Sequence, residues 1–434
     1  MTNRVMELSD FVALAFQSPE AESFFYGYYN TPQLNQDGDK LLCQKASFED
    51  RMPNGEDECE IGYFSIPEGR WHPLSKSKAF NWQQGSNLQW IGPDFNSRFI
   101  FNDREGEKFV ARIFSLVTYE IKTLSFPSYA ITPDGKFSLG IDYRRAFWTR
   151  AYSYAGIEDP AFKESINKED GLFRMNLETD EVHQCFSLQD WLEAKGESII
   201  AENKYWIEHP TLSLGGDYVF VYHRYGDANN FKTEGVILNS ASGEVLHEVK
   251  LKGLENFTHI GWSKDDHIAM YITPQKSISM HLMEPESSGM AFRISLAIYR
   301  KVVKPFMPRK LMQQVTAINS FYRYYDFQNG DHEDLKYPEF TIDGHPSFTK
   351  DGAYMLTDTY QDGESYRHLY LLRRADGKVF HLGKFYSHVN NMGWRADLHP
   401  RFSMDDQQII IDCNLSGYHQ QIMLDLDWQK IAVN

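Results

Sequence analysis

The sequence predicts an all-β chain folded as a seven-bladed β-propeller, and three observations carry that prediction. A turn of the type Ser/Thr-x-Asp-Gly recurs seven times between apolar runs, most clearly at Phe348-Thr349-Lys350-Asp351-Gly352 before Ala353-Tyr354-Met355-Leu356. Asp-Gly between two apolar runs is a strong hairpin signal, because Gly accepts a positive φ and Asp bonds the turn backbone. After most copies a second strand pair follows, as at 368–372 and 378–382 around the turn Asp376-Gly377. Finally, 30 Phe, 25 Tyr and 9 Trp make 15% of the 434 residues aromatic, which suits pleated, half-buried surfaces. Four strands per unit, repeated seven times, is the propeller pattern. A sandwich of the same length would not repeat one turn so regularly.

Taken in order, the units begin at Pro32 (turn Gln36-Asp37-Gly38), Leu88 (Gly92-Pro93-Asp94) and Tyr129 (Pro133-Asp134-Gly135). They continue at Pro210 (Leu214-Gly215-Gly216), Ile260 (Lys264-Asp265-Asp266), His345 (Lys350-Asp351-Gly352) and Pro400 (Met404-Asp405-Asp406). Between turn positions 37, 94, 134, 217, 265, 351 and 405 the steps are 57, 40, 83, 48, 86 and 54 residues. A four-stranded blade takes about 40–50 residues, so two steps carry extra chain. The excess predicts loop insertions near 146–205 and 275–340 within one domain spanning 1–434. The first holds Tyr152-Ser153-Tyr154-Ala155-Gly156 and a helix-like Leu188-Gln189-Asp190-Trp191-Leu192.

The second insertion is basic. From 287 to 325 there is no acid, but seven bases (Arg293, Arg300, Lys301, Lys304, Arg309, Lys310, Arg323) alternate with apolar residues. A partly helical segment of this kind suits peripheral contact with an anionic membrane surface or a protein. A lid or subunit contact whose bases face water or the acidic body fits better, since Pro305 and Pro308 interrupt any long helix.

Composition narrows the function classes. With 42% hydrophobic and 24% charged residues the chain is globular rather than disordered. Its formal charge of −16 argues against a general nucleic-acid binder, which needs a basic footprint. Cys43, Cys59, Cys185 and Cys413 form no CxxC pair, hence neither a zinc knuckle nor a disulfide framework. The N-terminal residues lack the apolar core of a signal peptide, and no run of 18 apolar residues exists. A cytoplasmic location is the expectation.

The candidate site comes from aligning the units on the apolar residue of the first strand: Leu34, Trp90, Ile131, Leu212, Trp262, Phe348 and Phe402. Three residues earlier stand Thr31, Asn87, Ser128, His209, His259, His345 and His399. All are polar and four are histidine, where 15 His in 434 residues would place fewer than one. First strands of a propeller line its channel, so these positions ring one mouth. Second strands return to the same face with Asn102-Asp103, Asp142-Tyr143-Arg144-Arg145, His223-Arg224, Asp358-Thr359 and Asp412. Imidazole, acidic and basic groups converging in a funnel are the ordinary ligand-site pattern, and neutral imidazoles bind metals or act as bases. His209 is the weakest candidate, since blades distant around the ring do not share one ligand.

The strings His345-Pro346-Ser347-Phe348 with Asp351-Gly352, and Leu398-His399-Pro400-Arg401-Phe402, resemble the oligogalacturonate lyase family of TolB-like propellers. So do Asn81-Trp82-Gln83-Gln84-Gly85, Tyr129-Ala130-Ile131-Thr132-Pro133-Asp134-Gly135 and His259-Ile260-Gly261-Trp262, over about residues 25–425 outside the insertions. The resemblance implies β-elimination at a uronate, with a divalent metal such as manganese on the substrate carboxylate and a histidine removing the C5 proton. It makes His345 and His399 metal ligands, His259 the base and Arg224 the assisting arginine. Where the family carries a Gln and a further His, this chain has Arg395-Ala396-Asp397. Asp397 then completes the metal set, or Arg395 replaces the metal as carboxylate partner. His223, Arg395, Arg367, Arg145 and Asn81 are the expected substrate-binding residues, with Trp148, Tyr152, Tyr154, Tyr360 and Tyr366 available to stack on sugars.

The functional expectation is a carbohydrate-active propeller, a lyase of uronic-acid-containing oligosaccharides. The alternative is a non-catalytic sugar-binding or scaffold propeller of surface-polysaccharide metabolism.

Overall fold

The computed structural model describes residues 5–147, 153–227, 230–249, 251, 255–274, 320–388 and 393–434. Their strands form seven antiparallel sheets; in blades 2 to 7 the first strand is the predicted one, whereas blade 1 starts with Ser23–Phe25, ahead of the predicted start at Pro32. Blade 1 contains Ser23–Phe25, Lys40–Ala46, Cys59–Ser65 and Arg70–Ser77; blade 2 contains Gln89–Trp90, Arg98–Glu105, Lys108–Ser115 and Ile121–Leu124. Blade 3 is Ala130–Ile131, Phe137–Gly140, Gly171–Asn176 and Val182–Ser187, and blade 4 is Lys204–Leu212, Tyr218–Asp227, Asn230–Asn239 and Val245–Val249. Blade 5 is Glu255–Trp262, Ile268–Pro274, Phe321–Tyr325 and His332–Leu335. Blade 6 is Ser347–Phe348, Tyr354–Asp358, Tyr366–Arg373 and Lys378–Tyr386, with Met6–Leu8 added as a fifth strand. Blade 7 takes Arg401–Phe402, Gln408–Cys413 and Gln420–Leu426, and Val12–Gln17 forms its outer edge. That last pairing, Val12–Gln17 with Gln420–Leu426, closes the ring by main-chain hydrogen bonds.

In four of the seven copies the turn has one physical cause. Its Ser or Thr hydroxyl bonds the Asp carboxylate two residues on: Thr132 to Asp134 at 2.6 Å, Thr349 to Asp351 at 2.7 Å, Ser403 to Asp405 at 2.6 Å. The next residue takes a left-handed φ, +68° at Gly135, +72° at Gly352 and +59° at Asp406. Gly and Asp tolerate that conformation, which is why the motif reads so clearly.

The core lies between blades. Phe25, Trp82, Trp90, Phe99 and Phe114 fill the space between blades 1 and 2, and Leu369, Phe380, Ile409 and Ile422 that between blades 6 and 7. Most aromatic residues are thus packing material.

Both expected insertions are shorter than their sequence bounds. The range 146–205 contains two strands of blade 3 and the helix Leu188–Ala194, whose cap is the Ser187 hydroxyl. The range 275–340 contains Phe321–Tyr325 and His332–Leu335 of blade 5, and Arg323 of the basic stretch pairs with Asp334 at 2.7 Å. Strand alternation was hidden there by unusual length and charge. Residues 287–319, and with them the other six bases, lie outside the described residues, as do Trp148 and Tyr152.

Local irregularities aim side chains into the channel. The first strands of blades 4 and 5 shift register between Glu208 and Thr211 and between Phe257 and Ile260, the stretches that hold His209 and His259. Blade 1 breaks more widely. Phe25 pairs with Gln44 and Leu34 with Leu41, and the chain between them carries Tyr28 and Tyr29 across the channel.

Candidate active site

Three of the ring positions meet, His259, His345 and His399, and Asp397 joins the last two. His345, Asp397 and His399 are buried, and one ligand atom from each lies within 4.8 Å of the others. The two imidazoles are 4.4 Å apart between centroids and nearly perpendicular, at 87°. The Nδ1 of His399 lies 2.8 Å from the carbonyl oxygen of Gly27, a pure acceptor, so Nδ1 carries the proton and Nε2 the lone pair. Nδ1 of His345 donates to Asp358 at 2.9 Å, and its backbone N–H donates to the same carboxylate at 2.7 Å. Outer hydrogen bonds therefore fix both tautomers with Nε2 as the available ligand atom, the arrangement metal-binding histidines use. His399 sits at φ +43°, as His209 does at +54° and Asn87 at +53°. Non-glycine residues in this region cost about 1–3 kcal/mol each and are held there by their surroundings.

His259 stands beside this group. Its ring centroid is 4.2 Å from that of His345, and its Nδ1 is 3.1 Å from Asp343 Oδ1, which also accepts from Thr258 Oγ1 at 2.9 Å. Its side chain keeps 16% exposure while that of His345 keeps 1%, so it is the imidazole a ligand reaches. The Tyr360 hydroxyl lies 3.4 Å from His259 Nε2 and 3.4 Å from Arg395 Nη2. Gly344, between Asp343 and His345, leaves no room for a side chain: a Cβ there would fall 1.8 Å from the Asp358 carbonyl oxygen.

The electrostatics separate these groups. Burial, reinforced by the neighbouring His259, holds His345 well below the usual histidine range; burial and His345 lower His399 to about 3. Both rings are therefore neutral near pH 7. Burial raises Asp358 to about 6, partly opposed by His399. Burial would raise Asp397 too, but Arg395 and Arg367 outweigh it and keep this carboxylate ionised far below its ordinary range. Arg395 Nε is 2.9 and 2.8 Å from the two oxygens of Asp397, and Arg367 Nη1 is 2.7 Å from Oδ1.

Two neutral imidazole nitrogens and an ionised carboxylate within 4.8 Å are a donor set that fits a divalent cation. The same carboxylate is engaged by two guanidinium groups, so the site also resembles a preformed carboxylate receptor. Beneath it, Tyr28 and Tyr29 form a floor. Tyr28 packs at 5.1 Å from His399 and 5.3 Å from His209; Tyr29 packs at 5.1 Å from His345 and bonds the Ile260 carbonyl at 2.7 Å. Asp343, Tyr28 and Tyr29 carry no repeat signature, because they come from connections and not from the aligned strands. Tyr360 was expected as a stacking ring, whereas its hydroxyl is what faces the histidines.

The remaining predicted residues lie elsewhere. Arg224 pairs with Glu208 at 3.0 Å and lies over Phe231 and Tyr222; the Tyr222 hydroxyl bonds the Thr258 carbonyl at 2.5 Å, beside His259. His223 is fully buried between Trp191, Tyr205 and Tyr225 and bonds Glu234 at 3.3 Å. Successive strand residues point to opposite faces, which is why these two neighbours part company. Arg145 spends all five donors on Asp159 and the carbonyls of Ala161, Glu164, Ser165 and Tyr205. It clamps the loop after blade 3's second strand and offers nothing to a ligand. Asn81 is 1% exposed and caps a turn, its Oδ1 accepting from Gln83 N at 2.9 Å and Gln84 N at 2.8 Å; Gln83 then bonds the Arg395 carbonyl at 2.5 Å. Asn81 thus supports the site from behind. His209 pairs with Glu208 at 2.9 Å, apart from the three-donor group. Thr31, Asn87 and Ser128 make local hydrogen bonds, Asn87 to the hydroxyls of Tyr143 and Tyr154. Tyr154 is buried there, and Tyr366 stacks edge-on to Tyr386.

No protein-family model matches the sequence, and no curated protein is similar to it in sequence. Solved structures are. An oligogalacturonate lyase in complex with manganese superposes with a TM-score of 0.64 at 14% identity, covering 98% of this chain and 96% of that one. Oligogalacturonate lyase from Vibrio parahaemolyticus gives 0.60 at 15% identity, covering 97% and 96%. TolB from Acinetobacter baumannii is more distant, at 0.39 and 12% identity over 88% and 78%. At such identities the likeness establishes the fold: this chain is a seven-bladed propeller built like the oligogalacturonate lyases along its whole length.

Proposed function

We propose that this protein is a lyase that cleaves uronic-acid-containing oligosaccharides by β-elimination. The observation that carries the reading is the juxtaposition of an accessible imidazole held by a carboxylate, His259–Asp343, with the buried group His345, Asp397 and His399. Elimination beside a carboxylate needs two things: relief of the carboxylate's charge, which acidifies the neighbouring C–H, and a base to take that proton. In this reading His259 is the base, its Nδ1 tied to Asp343 and its Nε2 free to take the proton. Asp343 orients the ring and stabilises the imidazolium that forms. Arg395 and Arg367 hold Asp397 and add positive charge at the buried end, while the tyrosine floor excludes water from below. His345, Asp397 and His399 would hold a divalent cation, which when bound supplies Lewis-acid neutralisation of the substrate carboxylate.

The substrate is then a short acidic oligosaccharide, since a chain of net charge −16 repels long polyanions. All four cysteines are free thiols, which supports a cytoplasmic setting. The basic stretch 287–325 is proposed as a peripheral contact with a membrane or protein, and among the described residues no helix is long and apolar enough to cross a membrane.

The test is incubation of purified protein with a panel of uronides, following the ultraviolet absorbance of the conjugated double bond, with elemental analysis for bound metal. Product from wild type and none from His259→Ala at unchanged thermal stability supports the reading. Silence across the panel overturns it. A second reading rests on the Arg395–Asp397 pair, which points into the same space: a metal-free receptor that binds a sugar carboxylate without cleaving it. Saturable uronide binding without product, and without metal, would favour that reading.

A further inference from the structure

The position of Tyr360 bears on which uronides such a lyase accepts. Tyr360 follows the second strand of blade 6, and its backbone N–H bonds the carbonyl of Asp343 at 2.7 Å. The Asp343 carboxylate holds His259 at 3.1 Å. One residue therefore fixes both groups, with the phenol oxygen 3.4 Å from His259 Nε2. Arg395 Nη2 lies 3.4 Å from the same hydroxyl, and the Arg395 guanidinium 5.0 Å from the Tyr360 ring centroid. Tyr360 is half-buried, like His259.

From this juxtaposition, and resting on the lyase reading above, we infer that base and acid act on one face of the sugar ring, so that elimination is syn. His259 takes the proton from C5, the C–H electrons form the C4=C5 bond, and the C4–O bond breaks. Tyr360 donates its phenolic proton to the departing oxygen and regains one from the His259 imidazolium. The net change moves one proton from C5 to the leaving oxygen, with no other reactant. The facial argument is the same whichever of the two groups takes the C5 proton, because they are neighbours. Separation of acid and base predicts stereochemistry in glycosidases for a similar reason.

The substrate class follows from ring stereochemistry. In 4-linked D-glucuronate and D-mannuronate the C5 hydrogen and the C4 oxygen lie on the same face. In D-galacturonate they lie on opposite faces, and a base and acid side by side cannot serve both. The preferred substrates are therefore 4-linked D-glucurono- or D-mannurono-oligosaccharides.

The experiment compares 4-linked oligomers of D-glucuronate, D-mannuronate and D-galacturonate under one set of conditions, together with Tyr360→Phe. Unsaturated product should form from the gluco or manno oligomer at least ~10-fold faster than from the galacto oligomer, the size of discrimination a single misplaced catalytic contact gives. Tyr360→Phe should lower kcat by ~10²-fold or more with KM little changed, the usual scale of a general acid. The variant should still exchange the C5 hydrogen with deuterium oxide, and its thermal unfolding should match wild type. Faster cleavage of the galacto oligomer overturns the inference and leaves the lyase reading standing. Loss of C5 exchange along with cleavage overturns the role of Tyr360 as acid. No product from any oligomer overturns both.

Discussion

The carboxylate of Asp358 accepts from both the Nδ1 and the backbone N–H of His345, at 2.9 and 2.7 Å, with neither side chain meaningfully exposed. One acid thus sets the place of the residue and the tautomer of its ring.

Replacing that acid should weaken a cation site without touching its donors. Asp358→Asn lets the His345 ring choose either tautomer, and manganese affinity measured by titration calorimetry should fall ~10–100-fold, as for other outer-shell partners. Unchanged affinity would remove His345 from the ligand set.

Arg395 separates the two readings of the buried site. In Arg395→Gln the Asp397 carboxylate keeps Arg367 but loses the Nε–H that bonds both its oxygens. Manganese should then bind more tightly, while a uronide should bind more weakly because a positive group near its carboxylate is gone. Calorimetry with each ligand checks both signs. Weaker binding of both would show that Arg395 acts chiefly by positioning Asp397.

The buried histidines predict the direction of acid destabilisation. His399 has a folded pKa of about 3 against ~6.5 unfolded, so the unfolded chain binds more protons between those values. Its contribution is full above ~6.5 and is lost as pH falls towards 3; His345, also lowered, adds in the same sense. Asp358, raised to about 6 from ~3.9, runs the other way: its contribution is present below ~3.9 and lost as pH rises through 6. Two groups outweigh one, so Tm should drop on acidification from pH 6.5 to 4.5, and less in His399→Asn. A flat profile would mean that the rings are not buried neutral.

Gly344→Ala tests the close approach beside the histidines. The added methyl would meet the Asp358 carbonyl, so the backbone must shift at a cost of about 1–3 kcal/mol. Asp343 and His345 flank this residue, and denaturant unfolding plus manganese titration should show loss of stability and affinity together.

Arg145→Ala should separate folding from function. Breaking its buried pair with Asp159 leaves an uncompensated carboxylate and several unsatisfied carbonyls, a loss of about 3–5 kcal/mol. Denaturant unfolding should register that loss, while turnover per folded molecule stays near wild type, because no donor of Arg145 is turned towards a ligand.

The repeat was legible because its turn needs particular chemistry: a hydroxyl, an acid two residues on, then a residue that tolerates positive φ. Six of the seven copies located a first strand, while Leu34 of the remaining copy makes a single bridge to Leu41, and the polar position three residues earlier located the ring. The sequence could not say which ring members meet. His259, His345 and His399 do, being on successive blades 5, 6 and 7, while His209 on blade 4 turns to Glu208 and Tyr28. Nor could it assign His223, Arg145 and Asn81, whose partners sit 11 residues away in sequence or 14 to 20 residues away in a loop, or lie in their own turn.

By itself, then, the sequence determined the architecture, because local turn chemistry and strand alternation repeat along the chain and need no knowledge of distant contacts. Only the tertiary structure decided the site. Asp343, Tyr360 and the Tyr28–Tyr29 floor come from irregular connections of blades 1 and 6, and closing the ring brings them to His259 and His345. Their chemistry depends on distance, burial and neighbouring charge, and those quantities exist only once the blades have closed.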